Sequence, residues 1–205
     1  MPEGEKGIWE MGHRGYVGGM WIEIGKLQFK FLINQGLKPT HCLLDIACGS
    51  LRGGIHFIKY LESGNYLGID KEFELIELGK EKELGNAVFE EKKPEFVVSD
   101  KFEFEKFSKR PHFSIAHSLF THINPHDIRL CLRNLRAFVD SRHILFATFF
   151  EGKSSRNREV SHSHSNFRYS KLEMEIFGRD TGWKATYIGN WNHPRNQMMM
   201  KYEVL

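Results

Sequence analysis

Residues 43–54 read Leu-Leu-Asp-Ile-Ala-Cys-Gly-Ser-Leu-Arg-Gly-Gly, an apolar pair leading through an acid into small residues, with an amphipathic segment starting near Gly53. That order predicts a buried strand, a tight turn and a helix start. Small residues let a ligand approach the backbone, and the first turn of the next helix offers N–H groups with no helical partner. A second short strand, Tyr66-Leu67-Gly68-Ile69-Asp70, closes on an acid standing 21 residues after Gly49. In doubly wound folds a carboxylate roughly 20 residues past the glycine turn meets ribose hydroxyls.

The turn lacks the G-x-G-x-x-G spacing of a pyrophosphate binder. Asp45-x-Ala47-x-Gly49 instead resembles the first motif of the class I S-adenosylmethionine-dependent methyltransferases, Asp/Glu-x-Gly-x-Gly-x-Gly. Ala47 stands where that motif has its first glycine and Leu51 where it has its third, with Gly53 and Gly54 expected to restore the lost flexibility. The resemblance implies S-adenosylmethionine as cofactor and S-adenosylhomocysteine as its product. It assigns Asp45, Ala47, Cys48, Gly49 and Ser50 to the amino-acid end, and Asp70 with Lys71 to the ribose. Asp100, Lys101 and Phe102 fall where the family contacts adenine, and His117 follows strand four, where it would face the methyl group.

The rest of the chain alternates strand and helix. Six glycines within residues 1–19 predict an irregular arm anchored by Trp9 and Tyr16. Met20, Ile24, Leu27 and Phe31 form a helical stripe, and Gly36 is placed to cap it. Helices are expected after Gly53, over Glu72 to Leu84, from Asn124-Pro125 onward, and from Ser170 to about Arg179. Further strands are expected at Phe96–Val98, Phe113–Ala116, His143–Phe150, Trp183–Ile188 and about Gln197–Val204. The alternation implies a doubly wound α/β fold with a mostly parallel sheet and helices on both faces. The resemblance sharpens this to seven strands, the last inserted antiparallel between the fifth and sixth. Residues 1–36 then form an arm and helix contributing to a lid, and residues 37–205 the single catalytic domain.

At 205 residues, 40% hydrophobic and 27% charged, the chain fits an ordinary globular protein. Its 29 basic and 26 acidic residues are interleaved, so the net +3 gives no nucleic-acid footprint. An RNA or protein methyltransferase would want a basic face, and Lys92, Lys93, Arg129, Arg133, Arg136, Arg156, Arg158 and Arg168 are scattered. The Asn/Asp-Pro-Pro-Tyr/Phe signature of many base-amine methyltransferases is absent after strand four. Cys42, Cys48 and Cys131 have no metal spacing and read as buried thiols in a reducing compartment. No basic-then-apolar leader and no run of about 20 apolar residues is present, so a cytoplasmic protein with no membrane partner is expected.

Candidate groups for an acceptor are Trp9 and Tyr16 in the arm, His162 and His164 in the polar loop 151–166, and His193 and Arg195 in the turn Gly189–Gln197. That loop is expected to be mobile, and Arg195 could hold a carboxylate or phosphate. His117, His162, His164 and His193 could each supply a base, with His117 and His193 the catalytic candidates. Neither His162-x-His164 nor His122 with His126 gains a third ligand at metal spacing, and no metal is expected. The leading expectation is methyl transfer to an O or N atom of a small molecule or of a glycan or lipid precursor. The other classes are a non-catalytic methyltransferase-like scaffold and an RNA or protein methyltransferase.

Overall fold

The apolar run at residues 43–46 forms β1 (Leu43–Ile46), buried at every position. In the computed structural model, which describes residues 2–154 and 159–205, two compact units divide the chain, Met1–Asp100 and Lys101–Leu205.

In the first unit β1 pairs in parallel with β2 (Tyr66–Asp70), and β2 with β3 (Glu95–Val98). Parallel neighbours need crossovers. The chain supplies α4 (Gly54–Tyr60), then α5 (Phe73–Leu78) continuing as a π-helical turn (Gly79–Leu84), then α6 (Asn86–Lys92). Helix α6 has no buried residue, so it carries no apolar stripe that sequence periodicity could reveal. Leu43, Leu44, Ile46, Phe57, Leu61 and Leu67 are essentially closed to solvent, each contributing about 1.5–3 kcal/mol of apolar burial.

The N-terminal segment departs from the expected irregular arm. It forms α1 (Gly4–Met11), α2 (His13–Tyr16) and α3 (Trp21–Asn34). Its glycines serve close packing and a joint. A Cβ on Gly7 would stand 2.2 Å from the Pro2 carbonyl oxygen, and Gly12, at φ 70°, separates α1 from α2. Ile8 is the buried anchor of α1, whereas Trp9 is 75% exposed. The buried face of α3 is Ile24, Gly25, Gln28 and Leu32, turned by one position from the expected stripe. The cause is close backbone approach: a Cβ on Gly25 would lie 2.4 Å from the Arg52 carbonyl oxygen, and one on Gly53 would lie 2.7 Å from Gln28 Oε1.

In the second unit β4 (Phe113–Ala116) lies parallel to β5 (Ile144–Glu151). A two-residue strand absent from the sequence reading, β6 (Arg168–Tyr169), also pairs with β5. β8 (Gln197–Val204) runs antiparallel to both β5 and β7 (Trp183–Asn190) and lies between them. This is the insertion that the resemblance implied. Helix α7 (Pro125–Phe138) starts where Asn124 accepts the Asp127 N–H at 2.9 Å, and α8 (Lys171–Arg179) starts from a Ser170–Glu173 capping box. The chain belongs to the doubly wound, mostly parallel α/β class with an antiparallel C-terminal strand. Among the described residues no helix is long and apolar enough to cross a membrane.

Candidate functional site

Leaving β1, the chain makes a turn in which alternate residues are left-handed: Ala47 at φ 62°, Gly49 at 52° and Leu51 at 69°. These are the three glycine positions of the first motif. Alanine and leucine therefore hold the glycine conformation there, at a cost of about 1–2 kcal/mol each. Gly53 and Gly54 do not restore flexibility as expected. Gly53 has φ −85° and ψ −38°, and a Cβ on Gly54 would collide with the Tyr66 hydroxyl at 2.5 Å and Leu51 Cδ2 at 3.0 Å. Their role is space. Gly79 likewise makes room, since a Cβ there would lie 2.9 Å from Leu51 Cγ.

Asp70 ties the turn to β2. Its Oδ2 accepts the Gly49 N–H at 2.8 Å, and its Oδ1 accepts the Glu72 N–H at 2.9 Å. Each oxygen keeps a further lone pair for a ligand hydroxyl. Asp45 is buried beneath, with Oδ2 accepting the Tyr66 hydroxyl at 2.8 Å. Burial pushes the Asp45 carboxyl up to about 7, against the Tyr66 hydrogen bond, and the Asp70 charge pushes the same way. Burial also raises the Asp70 carboxyl, while the Glu72 and Gly49 N–H groups pull it down. A buried carboxyl whose charge is disfavoured by burial and by a neighbouring carboxylate is an environment that a cation would relieve. Cys48 is buried, its thiol raised well above the ordinary value by burial.

The N-terminal helices buttress this turn. Ser50 Oγ donates to the His13 carbonyl at 3.2 Å, and Arg52 Nη1 donates to the carbonyls of Val17 at 2.8 Å and Gly19 at 2.9 Å. Val17 packs so close that a Cβ on Gly49 would come within 2.9 Å of its Cγ1. Glu83, on the π-turn, accepts Arg14 through both oxygens at 2.7 Å and meets His13 Nε2 at 2.6 Å. The sequence reading missed Arg52, His13 and Glu83, because nothing in their spacing signals a contact across 37 or 70 residues. Tyr16 is half-buried and accepts the Gly4 N–H at 3.0 Å. Trp9 lines a shallow surface hollow with Ile8, His13, Glu74 and Leu78. Lys71 is exposed and pairs with Glu72 at 3.5 Å and Glu3 at 3.7 Å. Asp100 is exposed.

In the second unit Lys101 is exposed and Phe102 half-buried at φ 56°, and both carbonyls accept from Asn134 Nδ2, at 3.1 and 3.2 Å. His117 and His193 come together, Nε2 to Nε2 at 3.1 Å. Tautomers follow from the outer nitrogens. His193 Nδ1 accepts the Arg195 N–H at 3.2 Å, so neutral His193 carries its proton on Nε2 and donates it to His117. His117 then carries its own proton on Nδ1, 3.2 Å from Ser118 Oγ. Gln197 Oε1 accepts from Thr148 Oγ1 at 2.7 Å, and Gln197 Nε2 donates to Ser118 Oγ at 2.9 Å. Trp191 stacks on His193 with centroids 5.4 Å apart. Gln197, Thr148 and Ser118 were not foreseen. Gln197 had a signal, as it shares a face of β8 with buried Met199.

His162 and His164 also come together, their rings 6.0 Å apart, within a segment hydrogen-bonded to residues 121–127. The expected mobility of loop 151–166 falls partly on residues 155–158, which lie outside the described residues, as do Arg156 and Arg158.

No protein-family model matches the chain. Solved structures do match. Magnesium protoporphyrin IX methyltransferase from Synechocystis PCC 6803, with S-adenosylmethionine bound, is 13% identical, and the match covers 96% of this chain and 91% of that one at a TM-score of 0.66. The glycopeptide N-methyltransferase MtfA is 10% identical, with 91% of this chain and 92% of that one covered at 0.69. An S-adenosylmethionine-dependent methyltransferase from Clostridium acetobutylicum ATCC 824 is 8% identical, with 88% and 90% covered at 0.65. At such identities the likeness is one of fold, and this chain has the fold of S-adenosylmethionine-dependent methyltransferases.

Proposed function

We propose that the chain is an S-adenosylmethionine-dependent methyltransferase acting on an O or N atom of a small molecule or of a glycan or lipid precursor. The observation carrying this reading is the turn after β1. Three alternate left-handed residues hold the backbone in the shape the motif's glycines would take, and Asp70 locks that turn while keeping lone pairs for a ribose. The donor is a cation with a ribose, and buried Asp45 and Asp70 offer it negative charge and acceptors. When bound it supplies an electrophilic methyl group. The protein's own task is then alignment, with a base only where the acceptor must lose a proton.

The resemblance further assigns Ala47, Cys48, Ser50, Lys71, Asp100, Lys101, Phe102 and His117 to the donor. Of the proposed bases, His117 has its lone pair at Nε2 engaged by the His193 N–H and His193 has its own at Nδ1 engaged by the Arg195 N–H, so His117 can take a proton only when the 3.1 Å contact opens and His193 only when the 3.2 Å contact opens. A scaffold that had lost catalysis draws its support from Ala47 and Leu51 in place of the motif's glycines, and the presence of Asp45, Gly49, Asp70 and Asp100 argues against it. Calorimetry tests the reading: saturable binding of S-adenosylmethionine and S-adenosylhomocysteine is expected, and binding of a nicotinamide dinucleotide with neither of these overturns it. Radiolabel transferred from the donor into a fractionated host extract then identifies the acceptor.

A further inference from the structure

Ser118 stands two residues past the end of β4, half-buried and left-handed at φ 61°. In open α/β sheets that is the side on which ligands bind. Its backbone is held twice: the N–H donates to Thr148 Oγ1 at 2.7 Å, and the carbonyl accepts the Thr121 hydroxyl at 2.6 Å. Thr148, having accepted that N–H, donates its own proton to Gln197 Oε1 at 2.7 Å. The Gln197 amide is thereby oriented, with Nε2 donating to Ser118 Oγ at 2.9 Å.

Two donors thus reach Ser118 Oγ, the Gln197 amide and the Nδ1–H of His117 at 3.2 Å. A hydroxyl has two lone pairs and one proton, so both pairs are taken and the proton must be given away. Gln197 Oε1 also lies 3.2 Å from Oγ, but it is badly placed to receive it. The oxygen and nitrogen of an amide are about 2.2 Å apart and subtend roughly 45° at Oγ, whereas a tetrahedral oxygen holds its proton about 110° from a lone pair. Oε1 moreover already accepts from Thr148. Among the described residues Ser118 Oγ makes no other hydrogen bond.

We propose that Ser118 recognises the methyl acceptor, its hydroxyl donating to a carboxylate or carbonyl oxygen of that molecule. His117, His193 and Gln197 stand behind it as positioning residues. The Arg195 N–H on His193 Nδ1 starts a chain of donors that runs through both imidazoles and ends on the Ser118 proton. Each group in that chain offers a donor to the next, so the closed network supplies no base. The reacting atom of the acceptor then arrives with an open lone pair, as an amine or an oxyanion does. This deepens the methyl-transfer reading and rests on it for what the recognised oxygen belongs to.

The test saturates the full chain with S-adenosylhomocysteine and follows histidine side-chain 15N spectra during titration with acetate, acetamide and methylammonium. Before titration His117 should be protonated at Nδ1 and His193 unprotonated there; the reverse pair of tautomers overturns the proposal. Acetate or acetamide should shift the His117 Nδ1 signal saturably, because a hydroxyl that donates becomes a stronger acceptor. Whichever of the two binds at lower concentration identifies the recognised oxygen as charged or neutral. Methylammonium, which has no acceptor, should leave the signal in place. No saturable shift with either oxygen ligand, or a shift with methylammonium alone, overturns the proposal. Ser118→Ala should raise the midpoint about tenfold or more, and Ser118→Gly, which suits φ 61°, should do the same without backbone strain. An unchanged midpoint in both variants also overturns it. Calorimetry with S-adenosylhomocysteine keeps the two readings apart: product binding without an oxygen-ligand shift sinks only the role of Ser118, and that shift without product binding sinks its assignment to a methyl acceptor.

Discussion

Asp70 bonds two backbone N–H groups through two different oxygens, and that decides how it can be replaced. Asp70→Ala removes the acceptors of both Gly49 and Glu72. Asp70→Asn keeps one and turns an NH₂ group onto the other N–H, so the amide is not a mild change. Both variants should weaken S-adenosylhomocysteine binding at least tenfold by calorimetry, about 1.4 kcal/mol or more. Near-native affinity in Asp70→Asn would mean the donor does not use this carboxylate. Asp45 behaves differently. Its carboxyl titrates at about 7 in the folded chain and near 4 when unfolded, so the folded form binds the extra proton between those values. Stability from this group is therefore present below pH 4 and is lost as pH rises to 7. Asp45→Asn, which keeps an acceptor for the Tyr66 hydroxyl, should melt higher than the parent at pH 8, by on the order of 2 kcal/mol, with no difference at pH 4. An equal effect at both pH values would show that charge is not its cause. Both acids were legible in the sequence, each closing a short apolar run. The left-handed backbone of Ala47 and Leu51 was not, because those residue types argue against it and only surrounding contacts hold them there.

Elements were legible where an apolar face met a fixed period. β2 and β4 fall where the alternation of small apolar runs put them, and α7 and α8 start at the Asn124 and Ser170 caps. Helices α1 and α2 were hidden by glycines that serve packing, and α6 by having nothing buried. The π-turn has no sequence signal of its own, yet it carries Glu83, whose side chain is 5% exposed while bonding Arg14 and His13. Arg14 also lies 5.0 Å over the Trp21 ring. Glu83→Gln leaves one amide oxygen for the three donors it faced. Amide exchange across residues 13–19 should accelerate about tenfold in that variant, with exchange in β1 and β2 unchanged. Equal acceleration in the strands would make Glu83 a general stabiliser of the unit and not the fastening of α2.

Across the whole molecule the two units carry opposite responses to pH. Asp45 erodes the first unit as pH rises from 4 to 7. In the second, His143 is 2% exposed, donates from Nδ1 to the Pro111 carbonyl at 2.9 Å, and has no hydrogen-bond partner at Nε2 among the described residues. Burial lowers its imidazole to about 4, so the unfolded chain takes up the proton first as pH falls below 6.5. Stability from His143 is present above pH 6.5 and is lost on the way to pH 4, about 3 kcal/mol in all. Amide exchange corrected for intrinsic rate should show β1–β2 protection falling toward pH 7 and β4–β5 protection falling toward pH 4. A uniform response over both strand pairs would refute this assignment. The class of the whole was legible because alternating strands and helices admit few arrangements. The acceptor groups were legible only as types: the sequence supplied the histidines, and loop contacts across 35 to 43 residues decide which of them meet.

Arg52 is buried and spends one nitrogen on the carbonyls of Val17 and Gly19. A protein chemist trimming this chain for expression would be drawn to begin at the long helix α3, discarding the glycine-rich stretch before it as a tail. That cut would take two acceptors from a buried guanidinium, strip Val17 from Gly49 and leave Glu83 without Arg14 and His13. The shortened product should express poorly or precipitate, and fusion partners are better attached at Leu205, whose side chain is open to solvent.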